Sequence, residues 1–332
     1  MGIKSLTYLI KEKSPDSIKT VGLNHFKNKT LAIDTSIFLY QSLMNIRNNG
    51  DYLRNKEGKI VSHIVGLFNK TIQYLSYGIT PIYIFDGKPP QEKYDCIQER
   101  NKKANESKNK MNETNDLNEK IKLEKSSIRI KKEYIDDLKK LFDLMGVSYI
   151  HPDGEAEAYA GELSRIGYVD GVITEDMDTF SYGCPYVIRK CIDKKEKRSD
   201  MVSVFDLSKI LKDFNMNQKE FNDMCILCGC DYCSTIPKIG PIRAFQHIQK
   251  YKSIENLIES NKIKNIPEDF LNKYKNARKC FEIFNNQIDI NNLNISKSSY
   301  NEIELKNYLI NDCNISDKRI NNVLSKNMFK FL

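Results

Sequence analysis

Four aspartates, Asp34, Asp86, Asp176 and Asp178, follow short apolar runs, and two glutamates, Glu155 and Glu157, stand two apart in GEAEAYAGEL. Positions i and i+2 of a regular helix face different sides, so the glutamate pair gains nothing from helical pairing. Taken singly, each acid has an ordinary explanation. Asp34 can cap a helix, Asp86 before Gly87 can make a turn, and Asp176 and Asp178 can be loop acids. Glu155 and Glu157 can favour the positive end of a helix opening near Asp153 and Gly154. Gathered together, however, these carboxylates cannot all stay ionised without a cation, because like charges raise one another's pKa. All-oxygen ligands suit a hard divalent ion, Mg²⁺, with Mn²⁺ as its substitute. Two such ions about 4 Å apart clamp a phosphodiester, one activating water and the other stabilising the leaving oxygen. The chemistry these residue types suggest is phosphodiester hydrolysis.

The elements that must gather them are legible from pattern. TLAID at 30–34, PIYIFD at 81–86 and the apolar run in DGVITEDMD read as short buried strands that deliver acid at their ends, the last with Thr174 and Glu175 alongside Asp176 and Asp178. Between them, Ser62 to Gly78 and Glu133 to Gly146 repeat apolar residues every three or four positions and stop at glycine, as helices do. This alternation predicts an α/β fold with a mainly parallel central sheet flanked by helices. Open sheets of this kind bind ligands outside the carboxyl ends of their strands, where the aspartates stand. From Gln91 to about Ser127 the chain turns to Lys, Asn and Glu without a core-facing stripe, the composition of a lid, a disordered segment or a solvated linker.

Of the 332 residues, 40% are hydrophobic and 29% charged, which excludes a disordered or membrane-embedded chain. No secretory signal core or membrane-spanning run is expected. Nine cysteines, an odd count, fit free thiols in a reducing intracellular compartment, nucleus or cytoplasm. Cys225, Cys228, Cys230 and Cys233 crowd one helix end and its turn, whereas structural zinc draws on two separated pairs, so buried reduced thiols are expected. The formal net charge of +8 suits a polyanionic partner. After the cysteines, Gly240 and Pro241 break two helical stretches, with Lys238 and Arg243 beside the break. The pattern reads as a helix-hairpin-helix that offers backbone N–H groups and basic side chains to phosphate, or as an ordinary helix–helix turn.

MGIKSL, LAIDTS, YIFDGKPP, GEAEA, TEDMDTFSYG and GCDYC…IGPIRA stand in an order and spacing that resembles the flap endonucleases, the structure-specific 5′ nucleases. The resemblance covers nearly the whole chain. It implies a 5′ flap endonuclease of DNA replication and repair with 5′ to 3′ exonuclease activity. A Holliday-junction resolvase or 5′ exonuclease of the same superfamily is the enzyme alternative, and a catalytically silent nucleic-acid-binding protein the non-enzyme one. It implies Asp34, Asp86, Glu155 and Glu157 on a first metal and Asp176, Asp178 and Asp231 on a second. It also implies Lys93 and Arg100 on a helical arch polarising the scissile phosphate, Tyr40 stacking on a base, Arg47 as a nearby DNA contact, and Gly2 beside the site. By the same resemblance the hairpin residues Lys238, Gly240 and Arg243 meet DNA, with K⁺ bound there, although Lys238 stands where glycine is common and Ile242 where a basic residue is usual. The implied organisation is an N-terminal nuclease region at 1–106 with the arch beginning about 91, an internal region at 124–253 with the hairpin at about 225–250, and a C-terminal helical region at 254–332 on the same core. The expected partner is branched or flapped DNA, met by a monomer. NMFKFL lacks the leading glutamine of the usual sliding-clamp peptide, so that partner is not expected.

Overall fold

The computed structural model describes residues 3, 5–114, 116–196, 198–282, 288, 293, 295–296 and 298–325. Gly2 and residues 326–332, on which the amino-terminal and clamp-peptide expectations bear, lie outside them. Among the described residues the strands are β1 (Ile18–Gly22), β2 (Thr30–Asp34), β3 (Arg47–Asn48), β4 (Asp51–Tyr52), β5 (Thr80–Ile84), β6 (Tyr149–Ile150), β7 (Gly171–Ile173), β8 (Tyr186–Lys190), β9 (Met201–Asp206) and β10 (Ile295–Ser296). Eight of them form one sheet in the order β1-β9-β8-β7-β2-β5-β6-β10, and β3 pairs with β4 as a separate hairpin. The centre is parallel, β8-β7-β2-β5-β6. Both edges are antiparallel, through β1-β9-β8 and β6-β10.

Side chains alternate across a strand, and here both faces are covered. Leu31 and Ile33 of β2 join Tyr83 and Phe85 in one core cluster, while Ala32 joins Ile82 and Ile84 in the other. A strand buried on both sides must read as an unbroken apolar run, which is why TLAID and PIYIF are recognisable without alternation. The helices Ser62–Ser76 and Lys132–Met145 turn Ile64, Leu67, Phe68, Leu138, Leu141 and Phe142 into the first cluster. The second of these helices ends on Gly146 at φ 67, the left-handed position that glycine adopts without strain. No helix among the described residues is long and apolar enough to cross a membrane.

The chain leaves β2 for β5 and β6 on one side, then returns to β7 on the other. Strand order therefore reverses between β2 and β7, and a crevice opens there at the carboxyl ends. The polar stretch after Gln91 is helical: a short 3₁₀ turn at Gln91–Lys93 leads into helices Tyr94–Glu113 and Leu117–Ser127. On the first of these helices only Ala104 is buried, as expected of a segment with no core-facing stripe.

Candidate active site

The acids are placed by the ends of their elements. Asp34 is the last residue of β2 and caps helix Thr35–Asn45, accepting from Ile37 N at 3.4 Å. Its other oxygen accepts from Thr174 Oγ1 at 3.0 Å across the crevice. Thr174 Oγ1 in turn accepts from Asp176 N, and Asp176 Oδ1 accepts from Asp178 N, each at 3.0 Å, so one threonine ties the β2 acid to the acids beyond β7. Asp86 lies two residues past β5 and accepts from Ala156 N at 2.9 Å, at the start of the helix Ala156–Arg165 that carries Glu157. The loop there fits only glycine: a Cβ on Gly87 would lie 2.0 Å from Pro152 O. Gly87 N and Lys88 N donate to Gly154 O and Asp153 O, seaming the Asp86 loop to the Glu155 loop.

Six of the seven proposed ligands, Asp34, Asp86, Glu155, Glu157, Asp176 and Asp231, line one cavity of roughly 250 Å³, which Lys93 and Arg100 also line. Asp178 does not line it. It is 2% exposed, and its Oδ1 has no hydrogen-bond partner. As the side chains stand, no group of three or more His, Cys, Asp or Glu among the described residues is gathered closely enough to hold a metal ion. Lys93 Nζ stands among three of the acids instead, bonded to Glu155 Oε1 and lying 3.4 Å from Asp231 Oδ2 and 3.6 Å from Glu157 Oε1. Arg100 Nη2 donates to Asp231 Oδ1 at 2.6 Å.

The electrostatics follow from this placement. Burial first, then Asp86 and Asp176, push Asp34 up to about 8. Burial likewise drives Glu157 well above the usual carboxylate range, with Asp86 and Glu155 adding to it against the pull of Lys93. Asp178 rises well above that range through burial and then Asp176 and Asp231. Asp176 rises mainly through burial. Burial opposes ionisation of Asp231 too, but Lys93 and Arg100 outweigh it and hold this group low. Lys93 and Arg100 together outweigh burial at Asp231, whereas Lys93 alone does not at Glu157.

Tyr232 contributes unannounced. Its hydroxyl donates to Glu155 Oε2 and bonds the Tyr182 hydroxyl, so Glu155 is held by Tyr232 on one oxygen and by Lys93 on the other. Both tyrosines lie inside stretches that carry the resemblance, Tyr232 in GCDYC and Tyr182 in TEDMDTFSYG, where nothing in the sequence assigns either a role. Tyr40 is half-buried, and its hydroxyl donates to Lys125 O at 3.3 Å on helix Leu117–Ser127. Arg47 does not face the cavity. Its side chain is 7% exposed, paired with Glu124 at 2.5 Å and stacked 4.3 Å over Tyr52. Cys225, Cys228 and Cys233 are buried in the core, while Cys230 is partly exposed.

Helices Gln218–Cys228 and Pro241–Tyr251 flank the hairpin, with Lys238 and Gly240 exposed between them and Arg243 exposed in the first turn of the second. Arg243 Nη1 donates to Lys238 O at 2.8 Å. Lys238 sits at φ 68, a left-handed conformation that disfavours any side chain with a Cβ. Lys238→Gly is expected to stabilise the fold by about 0.5–1 kcal/mol, read as a higher urea midpoint at unchanged m-value. An unchanged or lower midpoint would mean that the turn carries no such strain.

The family description XPG N-terminal domain matches residues 1–107, and XPG I-region matches residues 146–231. Flap endonuclease 1 of Brugia malayi is 38% identical over 286 residues, covering 85% of this chain and 75% of that one. Flap endonuclease 1 of Komagataella phaffii is 37% identical, covering 98% and 89%. Among solved structures, flap endonuclease-1 from Methanococcus jannaschii superposes with a TM-score of 0.70 at 24% identity, covering 94% of this chain and 96% of that one. The catalytic core of Rad2 in complex with DNA substrate gives 0.74 at 21% identity, covering 98% and 99%. On identity across nearly all of its length, the chain belongs to the flap endonuclease family.

Proposed function

We propose that the chain is a structure-specific 5′ flap endonuclease that hydrolyses a DNA phosphodiester near the junction of single strand and duplex, with 5′ to 3′ exonuclease activity, in replication and repair. The observation that carries this reading is the convergence of six acids from distant parts of the chain on the cavity that Lys93 and Arg100 also line. The donor set fits hard divalent cations. Every candidate ligand atom is a carboxylate oxygen, Asp178 Oδ1 is buried without a partner, and burial leaves four of the acids short of counter-charge. Asp34, Asp86, Glu155 and Glu157 would hold one Mg²⁺ and Asp176, Asp178 and Asp231 the other, with Mn²⁺ as substitute. Such a pair supplies Lewis acidity toward the phosphodiester and acidifies water.

The chain's own residues do the rest. Thr174 fixes the angle between Asp34 and Asp176, and the backbone N–H of Ala156 orients Asp86. Ile37, Pro89 and Ile97 make an apolar part of the wall, which lowers the local polarity beside the charged groups. Lys93 and Arg100 offer cationic N–H groups for negative charge that develops on a phosphate oxygen. Tyr40, on the helix after Asp34, offers a ring for a base. The exposed hairpin offers Lys238, Gly240 and Arg243 to the duplex backbone. K⁺ is the expected ion at this hairpin, but the Arg243 guanidinium occupies the Lys238 carbonyl.

The test is cleavage of a labelled double-flap DNA in Mg²⁺, with Asp176→Ala and a gapped circle lacking a free 5′ end as comparators. Expected are cutting of the flap by wild type, none by the variant, and little on the circle. DNA binding without metal-dependent cutting would favour the silent binding protein instead. Efficient cutting of a four-way junction over the flap would favour the resolvase.

A further inference from the structure

Lys93 is 9% exposed, and its ammonium faces Glu155, Glu157 and Asp231. A buried ammonium enclosed by carboxylates has the arrangement of a bound cation, with the difference that this cation is tethered to the chain. The three acids it bonds include members of both proposed metal sites. Lys93 also closes the 3₁₀ turn Gln91–Lys93, which leads directly into the arch helix Tyr94–Glu113. A Lys93 head engaged with these carboxylates cannot at the same time neutralise a phosphate. The geometry therefore points to two exclusive arrangements of one side chain.

We propose that Lys93 is the resident counter-cation of the metal-free site, and that divalent ions displace it from Glu155, Glu157 and Asp231, so that loading of metal frees the same ammonium for the DNA phosphate. The inference rests on the metal-dependent reading above. It adds that metal and lysine compete for one set of oxygens and that metal occupancy is communicated to the base of the arch. Two cations crowded on shared oxygens repel each other, and the tether makes Lys93 the one that moves. Arg100 stays as the partner of Asp231, which keeps one charge on that acid during the exchange.

The experiment measures Mn²⁺ binding by titration calorimetry to wild type, Lys93→Met and Lys93→Arg, without DNA. Removing the competing charge is expected to tighten Mn²⁺ binding about tenfold in Lys93→Met, a shift of one pK unit in the balance of charge, and to leave Lys93→Arg close to wild type. Equal or weaker binding by Lys93→Met would overturn the proposal. A second measurement needs no variant: wild-type protein is acetylated with an amine-reactive ester and Lys93 is quantified by mass spectrometry. Labelling is expected to be low in EDTA and to rise several-fold in saturating Mg²⁺, relative to lysines far from the site such as Lys262. Unchanged or reduced labelling on metal addition overturns it whether or not Lys93→Met folds. Should no divalent ion bind at all, the metal-dependent reading itself fails. Binding of metal with Lys93 unmoved sinks only this inference.

Discussion

Asp34→Asn is expected to melt at a higher temperature than wild type in EDTA and to lose cleavage. Asp34 is 2% exposed and faces Asp86 and Asp176, and burial and these neighbours lift its pKa from 3.8 to about 8. Between those values the folded chain keeps a proton that the unfolded chain has released, so this group's contribution to stability falls as pH rises through that window and is lost above about 8. Asparagine carries no charge to bury and keeps one oxygen to accept from either Ile37 N or Thr174 Oγ1. Tm should rise by about 3 °C at pH 8.5, with a smaller gain at pH 5. Cleavage of a flap substrate in Mg²⁺ should fall by roughly 10³-fold, as for removal of a group aimed at transition-state charge. A melting temperature that does not respond to the substitution at pH 8.5 would mean that Asp34 is not an uncompensated buried charge. Retained cleavage would remove it from the proposed ligands.

Lys93→Ala and Arg100→Ala come second in expected effect. Both groups line the cavity and pair with its acids, Lys93 with Glu155 and Arg100 with Asp231. Single-turnover cleavage should fall by roughly 10²-fold in each, while DNA affinity measured in Ca²⁺ changes far less, because these charges act on a phosphate whose negative charge grows along the reaction. An equal loss of affinity and rate would reassign them as ordinary phosphate contacts.

The acids at strand ends were legible because strand pattern and sheet topology are local and regular. A run such as TLAID announces burial on both faces, and an acid at its carboxyl end falls at the sheet edge by construction. The edge strands were not legible. β1, β8 and β9 pair antiparallel around the flank, and β10 adds a two-residue pairing to β6, too short to leave a pattern. Side-chain destinations set by distant partners were also hidden. The resemblance implies Arg47 as a DNA contact, yet Glu124, 77 residues away, and the Tyr52 ring take its side chain inward. Lys93 reads as a lid residue, and only the approach of three acids from two other segments places it among them. Asp178 follows Asp176 by two positions, yet it stays buried in the 3₁₀ turn Met177–Tyr182 and does not line the cavity.

The bond from Ala156 N to Asp86 makes one acid a structural support of the helix that presents two others. Removing Asp86 therefore loosens Glu155 and Glu157 as well, and the effects of paired substitutions at these positions should be markedly sub-additive. A double-mutant cycle between Asp86 and Glu157 would register this brace as an interaction energy beyond about 0.5 kcal/mol, the threshold for contacting sites. Transplanting this acid pair into another scaffold would accordingly require the Asp86 loop to travel with it.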